Sequence, residues 1–107
     1  MKILLDENLP HMLRFDLGAQ HEVYTVDYMG WIGKKNGELL GLMTWKGFEA
    51  LITADKNLEY QQNLDKFPIV VFLLRAHDNL HPTLQPLARL VSEMIDKGEY
   101  QRMNIIE

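Results

Sequence analysis

The stretch MKILLDENLP, residues 1–10, decides how we interpret the rest of the chain. Its apolar run from Ile3 to Leu5 is short enough for a buried strand, and the acids Asp6 and Glu7 follow directly. The charge therefore lies at the carboxyl end of the predicted strand. Ligands of open α/β sheets bind at that edge, because the strands end around one crevice. We therefore expect Asp6 to belong to a functional site.

A second stretch of the same shape, LITAD at residues 51–55, places Asp55 after another predicted strand. Strands are predicted at residues 3–5, 21–26, 50–53, 69–74 and 103–106. Helices are predicted at about 9–18, 37–46, 58–63 and 83–97, with Asn8 and Asn36 as N-caps of the first two. This alternation predicts one α/β domain over residues 1–107, a three-layer α/β/α sandwich around a mostly parallel sheet.

Composition narrows the classes of protein that fit. The chain has 107 residues and no cysteine, which excludes disulfides and thiolate metal sites and leaves oxygen or histidine ligands. Its net charge of −4 disfavours a broad phosphate-binding surface but permits local basic patches. No apolar run reaches the ~20 residues of a membrane span, and no signal peptide pattern is present. We expect a cytoplasmic protein that does not enter the membrane.

Charged residues cluster where the predicted strands end. Asp6, Asp27, Asp55 and Arg75 follow strands, and Glu38 lies in the first turn of the second helix. Two or three converging carboxylates would bind Mg²⁺ or Mn²⁺, which favour carboxylate and water oxygens. Such an ion suits phosphodiester chemistry. Each acid also has a structural interpretation: Asp55 as a helix cap, Glu38 as an acid favoured by the helix dipole, and Asp27 as a turn residue.

Three blocks carry a resemblance to a known family: MKILLDENLP, HEVYTVDYMGWIGKKNGELL and LITADKNLEYQQN. Together they resemble PIN-like domains, in a small branch classed as a domain of unknown function and found among the toxin components of bacterial toxin–antitoxin pairs. The resemblance implies a metal-dependent endoribonuclease in which Asp6, Glu38 and Asp55 are the catalytic and metal-binding acids. It also implies RNA as substrate and an antitoxin protein as partner, and it leaves a homodimer open.

Other residues are expected to surround those acids. Glu7 lies where this branch commonly carries an acid, whereas Asn36 and Asn57 stand where the wider family often has acids. Asparagine ligates through a neutral carbonyl, so the site would bind metal more weakly. Lys56 and Arg75 are candidates for contacts with RNA phosphates.

Two other functions stay open at this level. The two asparagines would also suit a PIN-like fold that only binds a protein or RNA. A phosphoacceptor receiver domain would use Asp55, but it also needs a hydroxyl after the fourth strand and a lysine after the fifth, which the sequence does not offer. Trp31, in a loop flanked by glycines, is expected to cover the core rather than to stack on a base, and the histidines are expected at the surface.

Overall fold

The sheet at the centre of the computed structural model, which describes residues 1–60 and 64–107, has five strands. They are β1 (Lys2–Leu5), β2 (Glu22–Thr25), β3 (Ala50–Thr53), β4 (Val70–Leu74) and β5 (Met103–Ile106). Their order is β2-β1-β3-β4-β5, and every pairing between them is parallel. The predicted α/β fold with a mostly parallel sheet is therefore confirmed.

Helical segments connect the strands. The α-helices are α1 (Val26–Met29), α2 (Asn36–Trp45) and α3 (His81–Lys97). Shorter 3₁₀ helices span His11–Leu17, Lys56–Tyr60 and Leu64–Lys66. Among the described residues, no helix combines the length and the apolar character needed to cross a membrane.

Side chains alternate between the two faces of the sheet and so build two separate apolar cores. Ile3 and Leu5 of β1 pack with the first 3₁₀ helix and α3 on one face. Leu4 of β1 and Leu51 of β3 pack with α2 on the other face. Both faces are thus covered, which explains why the strands are nearly continuous apolar runs.

Two predicted helix caps are wrong, and for the same physical reason. The first helix is a 3₁₀ helix whose N-cap is Pro10, and the N-cap of α2 is Lys35, with Asn36 as the first helical residue. The Asn8 carbonyl instead accepts a hydrogen bond from the Ala54 backbone at 3.5 Å. The Asn36 amide reaches Asp55. Contacts between loops have replaced the local caps.

Several predicted boundaries move by a few residues. β2 ends at Thr25 because the Thr25 hydroxyl accepts a hydrogen bond from the Tyr28 backbone and caps α1. The helix predicted at residues 58–63 begins earlier, at Lys56, and its predicted end lies outside the described residues. α3 begins at His81, since Pro82 fits the first turn of a helix.

Candidate functional site

The strand order defines a crevice between β1 and β3. From β1 the chain passes to β2 on one side and later returns to β3 on the other, so β1 and β3 flank the topological switch point of the sheet. Open α/β sheets bind ligands outside the carboxyl ends of the strands at such a point. Asp6 follows β1, and Ala54 and Asp55 follow β3. The structure therefore brings the ends of the two predicted acidic stretches to one position.

One threonine links the two acids. The hydroxyl of Thr53, the last residue of β3, donates a hydrogen bond to Oδ2 of Asp6 at 2.7 Å. The Thr53 hydroxyl oxygen in turn accepts a hydrogen bond from the backbone N–H of Asp55 at 3.0 Å. Thr53 is fully buried, so this geometry is fixed by the packing of β3. It was not predicted as a site residue, although a threonine ending an apolar strand two residues before an acid is a usable signal.

Asp6 is a carboxylate held largely out of water. It is only 9% exposed, and burial raises the pKa of its carboxyl above the ordinary value. Hydrogen bonds from the Thr53 hydroxyl and from the Glu7 backbone lower that pKa, and the nearby charges of Glu7 and Asp55 raise it. Among the ion pairs formed between described residues, none involves Asp6 or Asp55. Within the described part of the chain, the negative charge of Asp6 is therefore not paired with a basic side chain.

Asn36 extends the site toward α2. Its Nδ2 donates to Oδ2 of Asp55 at 3.4 Å, which leaves its own carbonyl oxygen free of that bond. The other carboxylate oxygen of Asp55 accepts a hydrogen bond from the backbone of Asn57 at 3.0 Å, so Asp55 opens the following 3₁₀ helix. The structural and functional interpretations of Asp55 are thus compatible. Asn57 contributes its backbone, and its side chain is exposed.

The remaining acids lie around this centre with partners of their own. Glu38 is in the first turn of α2, as predicted, and its carboxylate lies 3.6 Å from the Lys34 ammonium. Oε1 of Glu7 accepts a hydrogen bond from the Gly33 backbone at 3.2 Å and so ties the loop before α2 to the end of β1. The role of Glu38 as a metal ligand stays a prediction.

Other predicted groups are already paired or are exposed at the surface. Arg75 follows β4, but its guanidinium contacts Glu59 at 2.7 Å and Glu107 at 3.7 Å, so its charge is shared by two acids. Lys56 is exposed at the start of its 3₁₀ helix. Asp27 is exposed in the first turn of α1, which fits the turn interpretation.

The oxygen atoms of these side chains are of the kind that bind a hard divalent cation, with modest affinity. Asp6 and Asp55 supply charged oxygens and Asn36 a neutral one, which is a set suited to Mg²⁺ or Mn²⁺ with water completing the coordination. A group of three or more His, Asp or Glu side chains arranged for a metal ion is not found within residues 1–60 and 64–107.

Comparison with known proteins adds no relative from which function could be transferred. No protein-family model, no curated protein and no solved structure matches the chain.

Proposed function

We propose that the chain is a divalent-cation-dependent endoribonuclease of the PIN-like type. The observation that supports this most is the pairing of Asp6 and Asp55 through Thr53 at the switch point of the sheet. Two carboxylates that take part in no ion pair among the described residues would attract a divalent ion there and, with it, a phosphodiester. In a toxin–antitoxin pair this activity would be that of the toxin, with a cytoplasmic antitoxin protein as its inhibitor.

In this proposal each residue of the site has a role that follows from its position. Asp6 and Asp55 hold the ion, the Asn36 carbonyl adds a neutral ligand, and Thr53 fixes the orientation of Asp6. When bound, Mg²⁺ or Mn²⁺ polarises the phosphoryl group and activates water for attack on it. Lys35 precedes Asn36 directly and takes part in none of the ion pairs between described residues, so its ammonium group is available for an RNA phosphate beside the acids.

The burial of Asp6 suits this role. A carboxylate that lacks a cation in a poorly hydrated position gains more from a divalent ion than an exposed carboxylate would, since less hydration is lost on binding. The hydrogen bond from Thr53 leaves the other oxygen of Asp6, Oδ1, facing the Glu7 backbone N–H at 2.8 Å. Both bonds hold the carboxylate in one orientation.

Cleavage of labelled RNA tests the proposal. We expect wild-type protein to cleave RNA with Mg²⁺ or Mn²⁺ and not with EDTA, and Asp6→Asn and Asp55→Asn to lose at least about a hundredfold in rate. Asp65→Asn is the matched control, because Asp65 is exposed in the 3₁₀ helix that precedes β4, at the opposite edge of the sheet. Equal cleavage by wild type and Asp6→Asn, or no cleavage with either metal, would contradict the proposal.

A binding module without catalysis is the second candidate. It is favoured by the site's own composition, since amides stand at positions 36 and 57 and Glu38 contacts Lys34. Such a protein would bind RNA or a protein partner without turnover. Calorimetric titration with Mn²⁺ separates the two: binding that is lost in Asp55→Ala supports a working metal site, and its absence supports the module.

The hypothesis of a receiver domain receives little support from the site, although the strand order is compatible with that class. The end of β4 is followed by Arg75 and Ala76, which have no hydroxyl. The end of β5 is followed by Glu107, where phosphoryl transfer to Asp55 would need a lysine.

A further inference from the structure

An exposed tyrosine follows β2, the edge strand next to β1. Tyr28, in the single-turn helix α1, is 76% exposed, and its ring lies 5.8 Å from the ring of Tyr24. A hollow of about 210 Å³ lies here, and its lining consists of Arg14, Val23, Tyr24, Thr25 and Tyr28. An aromatic ring left in water loses the free energy that burial would supply, so a contact with a planar ligand is favourable.

The position of this hollow relative to the acids follows from the strand register. The Tyr28 backbone N–H donates to the Thr25 hydroxyl at 3.0 Å, which fixes Tyr28 at the end of β2. Thr25 is paired with Leu5 of β1, and Asp6 follows Leu5. Neighbouring strands are about 4.8 Å apart, so the backbone of Tyr28 lies one strand beyond the acids at the carboxyl ends of the strands, and the hollow extends from there along β2.

Basic groups accompany the tyrosines, although the chain as a whole is acidic. Arg14 lines the hollow and its guanidinium lies over the ring of Phe15 at 4.7 Å. Neither Arg14 nor Lys35 takes part in the ion pairs formed between residues 1–60 and 64–107. The loop that carries Lys34 and Lys35 is held at the site by the bond between the Gly33 backbone and Glu7. Aromatic faces with unpaired cations are the combination that binds single-stranded nucleic acid.

We propose that Tyr28, supported by Tyr24 and Arg14, stacks on an unpaired nucleobase of the RNA whose backbone crosses Asp6 and Asp55. The inference rests on the proposed function for the nature of the ligand. It assigns a specificity role to Tyr28: a base inside a duplex cannot reach the ring, whereas a single strand can. The Tyr28 ring binds the base, and Lys35 binds a phosphate nearer the acids.

Trp45 provides a matched control. It is 75% exposed and has Lys46 over its ring at 4.5 Å, so it is also an exposed aromatic side chain with a basic residue beside it. It lies at the end of α2, next to the residues that lead into the amino end of β3. It is therefore at the edge of the sheet opposite to the acids.

The test is the binding of a short fluorescein-labelled oligoadenylate, measured by fluorescence anisotropy in EDTA so that no cleavage occurs. Wild type should bind the single strand and bind it more weakly once it is annealed to its complement. Tyr28→Ala should weaken single-strand binding about tenfold, which is within the range for loss of one stacked base. Tyr28→Phe should retain wild-type affinity because the ring is kept, and Trp45→Ala should match wild type.

Each other outcome overturns the inference. Unchanged binding by Tyr28→Ala, an equal loss in Trp45→Ala, or failure of wild type to bind the single strand would exclude a stacking role for Tyr28. The cleavage assay tests the proposed function separately. If RNA cleavage depends on Asp6 but RNA binding does not depend on Tyr28, the nuclease function is supported and the stacking role of Tyr28 is excluded. The reverse result leaves an RNA-binding module with no nuclease.

Discussion

The hydroxyl of Thr53 stands between Asp6 and Asp55, donating to the carboxylate of the first at 2.7 Å and accepting from the backbone of the second at 3.0 Å. This relationship joins two strands that are separated by more than forty positions in the sequence, since the Thr53–Asp6 bond spans 47 residues. It fixes the orientation of Asp6 before any ligand binds. The site is therefore preorganised by the ends of β1 and β3.

Replacement of Thr53 by valine should destabilise the protein while preserving its shape. Thr53→Val leaves the buried Asp6 carboxylate and the Asp55 backbone without their hydroxyl partner, which costs about 1–3 kcal/mol of unfolding free energy. Thr53→Ser retains the hydroxyl and should lose less. Urea denaturation measures both, and a Thr53→Val variant as stable as wild type would show that the hydroxyl contributes nothing.

Neutralising Asp6 should not destabilise the protein. A buried carboxylate with no side-chain cation among the described residues costs free energy in the folded state, and an amide oxygen can accept the Thr53 hydrogen bond in its place. The amide loses the bond from the Glu7 backbone N–H, which the second carboxylate oxygen accepts, but it removes the larger cost of the buried charge. We expect Asp6→Asn to have an unfolding free energy at pH 7, in EDTA, equal to or above that of wild type. A decrease of more than about 1 kcal/mol would indicate that Asp6 serves stability rather than ligand binding.

The local pattern of the sequence predicted the strands well, for a simple physical reason. Strands buried on both faces are short apolar runs, and β3 and β5 have the predicted bounds. The helix caps were predicted less well, because Asn8 and Asn36 find partners in loops that are distant in sequence. Local propensity cannot anticipate such contacts.

The site was predictable in part. The carboxyl-end rule placed Asp6 and Asp55 at one edge, and the strand order then explains why these two, rather than Asp27, share the crevice. The order itself could not be read from the sequence, since it depends on which side of β1 each connection crosses. The expectation of surface histidines is wrong for His21, whose side chain is 5% exposed and contacts Asp96 at 3.0 Å.

Trp31 and Tyr28 are close in sequence, but their replacement by alanine should affect the unfolding free energy very differently. Trp31 is 8% exposed and packs edge-on against Phe48 at 5.9 Å, so Trp31→Ala should cost about 3–5 kcal/mol of unfolding free energy. Tyr28 is exposed, and Tyr28→Ala should change stability by no more than about 0.5 kcal/mol. Urea denaturation of the pair distinguishes core packing from an exposed surface, and similar losses in both would contradict this assignment.

Asp16 should make stability depend on pH in the acid range. Burial raises the pKa of its carboxyl, but hydrogen bonds from Gln85 and His81 and the charge of Arg89 outweigh burial and hold the pKa below its ordinary value. The unfolded chain therefore takes up the proton first as pH falls. The stabilisation is present above about pH 4, the ordinary carboxyl pKa, and is lost as pH falls through the lower pKa of the folded state.

Urea midpoints collected between about pH 6 and about pH 3 measure this effect. Wild type should lose stability across the range, and Asp16→Asn should start about 2 kcal/mol lower at the upper end and fall less steeply. Asp65→Asn is the matched control, because Asp65 is exposed and takes part in none of the ion pairs between described residues. Parallel pH curves for wild type and Asp16→Asn would contradict the assignment.

The central claim is that Asp6 and Asp55 hold a divalent cation at the switch point of the sheet. Crystals soaked in a manganese salt test it most directly through anomalous difference density. The account predicts a peak within coordination distance of both carboxylates in wild type, and none at that position in Asp55→Ala. A manganese-soaked wild-type crystal with no peak between Asp6 and Asp55 would contradict it.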